Sequence, residues 1–175
     1  MLFEFEGKSP VFGSETYISE LANVIGDVII GNNCYIGHGA ILRGDYGKIE
    51  IADGTAVEEG VVIHAPPEEL CYIGRKVTLG HGAVIHSRKI EELAVIGMGA
   101  ILSIRSEVHA RSIVAEGAIV KLNQVIPPDV VAAGNPAKIV RKINQRDQER
   151  WNMGKQLYID LAKRYIQNPM KPVYK

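Results

Sequence analysis

Two cysteines, Cys34 and Cys71, are all the chain has, too few for a disulfide framework and in keeping with a reducing compartment. Neither sign of charge is in excess. The 20 lysines and arginines face 20 aspartates and glutamates, so no global field draws the protein to nucleic acid or to a membrane surface. The partner expected is a small molecule or another protein. No apolar run approaches the length of a membrane span, and the opening MLFEFEGKSP has neither the basic start nor the apolar stretch of a secretory signal. These absences lead to the expectation of a soluble, cytoplasmic protein. At 175 residues the chain is long enough for one domain with a sizeable core and short for two.

What is present is a repeat. Aliphatic residues recur every six positions at Ile18, Val24, Ile30, Ile36 and Leu42, then Ile51, Val57 and Ile63, then Ile73, Leu79 and Ile85. After a slip of one residue the series resumes at Ile96, Leu102, Val108, Val114, Val120 and Ile126, with Ala132 in the last place. Four residues after each aliphatic the side chain is usually small, as at Cys34, Ala40, Thr55, Ala83, Ala100, Ser112 and Ala118. One large and one small inward residue per six is the pattern of a parallel β-helix, in which three hexads make a triangular coil of about 18 residues. An antiparallel sandwich would need looser spacing and hairpin signals. Two insertions interrupt the count, RGDYGK at 43–48 and APPEEL at 65–70, and both are expected to bulge from the coil as loops. Residues 1–140 are assigned to the β-helix, and residues 141–175 to a C-terminal helix and tail of the same domain. That helix shows Trp151, Tyr158, Leu161, Ala162 and Tyr165 at helical spacing and ends at Asn168-Pro169. It should pack against the outside of the coil.

The stretch LGHGAVIH, Leu79 to His86, holds two histidines among small and aliphatic residues. Their spacing of five is not helical, so the hexads have to place them. His64 and His86 each follow an inward aliphatic, Ile63 and Ile85, and strand alternation turns both outward. Two hexads lie between, which puts the two on one face in successive coils, roughly 4.8 Å apart. Arg43, after Leu42, joins the same column one coil earlier. Two imidazoles so placed can converge on one metal. His81 lies on a different face near a corner, where it can serve as third ligand to a neighbouring chain if the prisms pack around a threefold axis. Three protein ligands with an open fourth position are the arrangement of a catalytic zinc. His38 and His109 are expected to be solvated surface residues, although His38 shares a column with Glu59 and His81.

Together, RGDYGKI (43–49), VVIH (61–64), TLGHGAVIH (78–86), VIGMGAIL (95–102) and GNPAK (134–138) resemble the γ-class carbonic anhydrases, over nearly the whole chain from about Pro10 to Tyr165. The RGDYG loop and the Trp151 to Tyr158 segment look closest to the branch encoded with phenylacetate and carnitine metabolism. The resemblance implies a left-handed helix, a homotrimer, and a zinc, with iron or cobalt as the other possibilities, at each subunit interface. Its ligands would be His64 and His86 of one chain and His81 of the next. Arg43 and Asp45 match the interface pair of the family, and Tyr158 matches a tyrosine that the C-terminal helix brings to the site. The chain departs from the family at Glu58 and Glu59, where glutamine and aspartate are usual, and at Ala56, where asparagine is usual. Glu59 is expected to pair with Arg43, and Glu58 to stand where an amide orients the nucleophile. The long acidic loop of the best-known member is also not evident, although Glu68 and Glu69 lie in a short loop after His64.

The activity implied is reversible hydration of carbon dioxide to bicarbonate by metal-bound hydroxide. The same nucleophile could cleave a thioester, making an acyl-CoA thioesterase the second reading. A hexapeptide acyltransferase that uses a lone histidine as base needs no metal, and a trimeric scaffold with a vestigial site needs no chemistry.

Overall fold

The computed structural model describes residues 1–173. Its strands stack as a parallel β-helix with three faces. The first face carries the opening halves of Asn23–Ile30 and Ile41–Ile51, then Val62–His64, Val84–Ile85, Ile101–Leu102 and Ile119–Val120, each paired in parallel with the next. The second face carries the closing halves of the two long strands, then Leu70–Ile73, Lys89–Ile90, Glu107–Val108 and Val125–Ile126. The third runs from Tyr17–Ile18 through Tyr35–Ile36, Ala56–Val57, Thr78–Leu79, Val95–Ile96 and Ile113–Val114 to Val130–Ala133. Lys138–Lys142 closes this third face as an antiparallel strand.

The hexad reading places the inward residues correctly. Leu42, Ile63, Ile85 and Leu102 are in register on the first face, and Ile36, Val57, Leu79 and Ile96 on the third. All eight have no exposure, and neither do the small positions Cys34, Ala40, Ala83, Ala100, Ser112 and Ala118. Burying an aliphatic side chain of this size contributes about 1.5–3 kcal/mol, so one such residue per hexad carries the fold. The slip falls between Ile85 and Ile90, because Ile90 already pairs with Ile73 and Val108. Small polar residues in the lumen are satisfied locally: Thr55 Oγ1 donates to Gly74 O at 2.7 Å and accepts from Val77 N at 3.1 Å.

The insertions differ from expectation in one respect. Residues 43–48 do not leave the coil as a loop, since Ile41–Ile51 continues as one strand round the corner. Pairing with the preceding strand holds on both sides of the corner, and the extra residues become a bulge between Gly26↔Gly44 and Val28↔Ile49. Gly26 sits there at φ 75°, with Gly44 O against the place a Cβ would take, so a side chain has neither the conformation nor the room. The second insertion is a loop as far as Glu69, and it docks on the bulge through Glu68 N to Tyr46 O (3.1 Å) and Lys48 N to Glu69 O (2.9 Å).

The C-terminal helix spans Gln145–Gln167. Asn144 and Asp147 cap it reciprocally, each side chain accepting from the other's backbone N–H at 2.9 and 3.0 Å, and Asn168 ends it. Its buried stripe is Lys155, Ile159 and Ala162. Tyr158, Leu161 and Tyr165 pack beside the stripe against Tyr35 and Ala56 of the third face.

Candidate metal centre

On the first face, strand alternation turns Arg43, His64 and His86 outward in one column. The two imidazoles meet edge to face, with ring centroids 5.1 Å apart and planes at 87°. Asp45, on the bulge, completes the group, with Oδ2 2.9 Å from Arg43 Nε and Oδ1 3.3 Å from His64 Nε2. The first contact is charge pairing alone, because Arg43 Nε is buried and makes no hydrogen bond. Arg43 Nη2 lies 3.1 Å from His64 Nε2. A guanidinium can only donate, so Nε2 accepts and the ring proton is assigned to Nδ1. Burial, then the charges of His64 and Arg43, lower the pKa of His86. The ring is thereby held neutral, the form that binds a metal.

A second group forms at the corner between the third and first faces. Gly80 to Ala83 is a tight turn closed by Ala83 N to Gly80 O at 3.1 Å. Gly82, at φ 69°, supplies the left-handed residue this turn needs. His81 precedes it and projects outward, its side chain 47% exposed. The same turn recurs at Gly39 and Gly60, one residue after His38 and Glu59, which is why His38, Glu59 and His81 form a column. His81 Nδ1 lies 2.8 Å from Glu59 Oε2 and its Nε2 3.2 Å from Glu58 Oε2, which also accepts from His81 N at 3.1 Å. Glu59 therefore does not pair with Arg43 as expected. The corner turn aims it at His81 and at the Tyr35 hydroxyl, 2.6 Å away. Glu58 is 6% exposed. Burial raises its pKa, against the opposing charge of His81 and a hydrogen bond from Tyr158. Tyr158 comes from the helix, and burial followed by the charge of Glu58 pushes its hydroxyl up.

The sequence-derived site residues thus fall into two groups, Arg43, Asp45, His64 and His86 on the first face and Glu58, His81 and Tyr158 at the corner. Among the described residues, no three histidine, cysteine, aspartate or glutamate side chains of one chain converge to hold a metal. Each group has what the other lacks. The first offers two imidazoles edge to face, and the second an exposed imidazole whose Nδ1 faces a carboxylate, as in metal-binding histidines. This donor set suits zinc.

Of the two histidines expected at the surface, His38 departs from the sequence reading. His38 is half-buried, with Nδ1 2.6 Å from Ser19 Oγ and Nε2 3.3 Å from the Tyr165 hydroxyl. It ties the helix to the second coil. His109 stands between Glu91 (3.4 Å) and Glu107 (3.7 Å), with its side chain 33% exposed. Sequence reasoning missed Lys155, which is buried and reaches Thr78 Oγ1 at 3.3 Å and Ala94 O at 3.2 Å. Its signal was a lysine three residues before Tyr158 and four after Trp151, inside the apolar stripe.

Residues 9–44 match the sequence family described as bacterial transferase hexapeptide (six repeats). A crystal structure of a hexapeptide transferase family protein from Anaplasma phagocytophilum superposes with a TM-score of 0.86 at 31% identity, covering 94% of this chain and 97% of that one. The chain is a member of the hexapeptide-repeat class of parallel β-helices. It is 37% identical to Gamma carbonic anhydrase 2, mitochondrial, from Arabidopsis thaliana over 89% of its own length, and 35% identical to Carnitine operon protein CaiE from a Proteus strain over 93% of this chain and 83% of that protein. Within the class, it belongs to the family of the γ-class carbonic anhydrases and CaiE proteins. It spans 58% of the Arabidopsis protein.

Proposed function

We propose that the protein is a metal-dependent γ-class carbonic anhydrase that hydrates carbon dioxide, working as a homotrimer with a shared site at each subunit interface. The observation that supports this reading is the split of one complementary donor set between two regions of the chain: His64 edge to face with His86 on one face, and an exposed His81 at the corner, with no three donors of one chain converging among the described residues. His64 and His86 of one chain and His81 of the next would hold the zinc. A cation there supplies Lewis acidity that activates water at neutral pH.

The rest is done by the chain's own residues. Arg43 occupies the Nε2 lone pair of His64, so the guanidinium must turn to another acceptor when a cation binds. Asp45 stays close to both and can take the freed charge. Glu59 lies against His81 Nδ1 at 2.8 Å, while Tyr35 fixes Glu59 by a hydrogen bond. Glu58 presents a carboxylate beside His81 Nε2, at the place where it can accept a proton from water.

That carboxylate also suits hydrolysis, and for this reason acyl-CoA thioester cleavage is the second reading. One sample decides between them. Protein purified without oxygen is examined for molecular mass, metal content, carbon dioxide hydration by stopped flow and acetyl-CoA hydrolysis. A trimer with about three metals that hydrates carbon dioxide is expected. Thioester hydrolysis without hydration assigns the second reading, and neither activity in a metal-loaded trimer overturns both.

A further inference from the structure

Between the C-terminal helix and the third face lies a cleft of about 230 Å³ that the proposed chemistry does not use. Val95 and Ile113, paired neighbours on the third face, line one side, and Trp151 lines the helix side. Lys155 also lines it, at 4% exposure. The Lys155 Nζ has two uncharged acceptors, Thr78 Oγ1 and Ala94 O, both beyond 3.1 Å. Among the described residues no carboxylate lies within 4.0 Å of it. The other charged groups in the lining are already matched, Arg111 with Asp129 at 2.6 Å and Asp147 with Arg141.

A buried ammonium is costly unless an anion meets it, and its three N–H donors exceed the two acceptors present. Burial pushes the Lys155 pKa down to about 7, and the charge of Glu58 pulls the other way from beyond ion-pair distance. The apolar lining would accept a hydrocarbon body, and the unmatched cation would accept its acid end. A volume below the range of drug-sized pockets, roughly 300–1,000 Å³, limits the ligand to about eight non-hydrogen atoms.

We propose that this cleft is a binding site for a small monocarboxylate, whose carboxylate takes charge-assisted hydrogen bonds from Lys155 while its apolar chain lies along Val95 and Ile113 against Trp151. The site is separate from the histidine groups and does not depend on the metal reading.

Trp151 is the only tryptophan of the chain, so its fluorescence reports on the cleft directly. Titrating the metal-free 175-residue chain with sodium hexanoate should give a saturable change with a Kd of about 1 mM. Hexan-1-ol, which keeps the chain and lacks the charge, should bind roughly tenfold more weakly. Lys155→Met, which keeps most of the apolar stem and removes the charge, should weaken hexanoate by at least about the same factor. Ile113→Phe should abolish the signal by filling the cleft without touching the ammonium, and it keeps the test decisive if Lys155→Met does not fold. No saturable change for hexanoate, equal binding of hexanol, or hexanoate binding that both variants leave intact overturns the proposal. Since the measurement involves neither metal nor turnover, its failure and that of the carbonic anhydrase reading are distinguishable.

Discussion

If each site takes His64 and His86 from one chain and His81 from the next, two defective chains can repair each other. A His64→Ala chain still supplies His81, and a His81→Ala chain still supplies His64 and His86. The corner turn at Gly80–Ala83 holds His81 against Glu58 and Glu59, while the first face holds His64 against Arg43 and edge to face with His86. In a closed ring an interface is whole where a His81→Ala chain precedes a His64→Ala chain. Any mixed trimer, of either composition, contains one such interface, so verified hetero-trimers should hold about one metal where the parent holds about three. Random mixing in equal amounts makes about one interface in four whole. The assay is co-refolding with two affinity tags, sequential capture, a chelator wash to strip metal from sites of only two imidazoles, and elemental analysis. Homotrimers of either variant should retain none. Verified hetero-trimers that also retain none, beside a loaded parent, would falsify the shared site.

Glu58→Gln removes a negative charge beside His81, so the hydration profile should move to lower pH, and an unchanged profile in a metal-loaded trimer removes Glu58 from the site. Leu102→Ala empties a fully buried lumen position in register with Ile85 and Val120; it should cost about 2–5 kcal/mol by urea unfolding at fixed protein concentration, and a loss under about 1 kcal/mol contradicts the packing argument. Asp147 is held down to about 2 by its hydrogen bond to Arg141 and by the Asn144 backbone. A depressed carboxyl stabilises fully above its unfolded pKa of about 4 and loses that contribution as pH falls through about 2. Helix content followed by circular dichroism should therefore fall across that window, and Asp147→Asn should remove the step; the same acid transition in both proteins counts against it.

The three-faced coil and the column Arg43, His64, His86 are legible in the order of residues alone. Both follow from counting: a period of six sets which coil a residue belongs to, and a period of two sets whether it faces in or out. Ile18 through Ala132 obey that rule apart from the two insertions at 43–48 and 65–70 and one slip between Ile85 and Ile90. The corner and the helix contacts were out of reach of such counting. Whether Glu59 meets Arg43 or His81 depends on the direction a turn residue takes, and the answer is His81 with Tyr35 behind it. The half-buried state of His38 depends on Tyr165, 127 residues away, and the cleft at Lys155 depends on Thr78, 77 residues away. Periodicity is a local property and specifies each strand's place. The docking of one helix on a finished face is set by side-chain packing between distant segments, and only the assembled chain decides it.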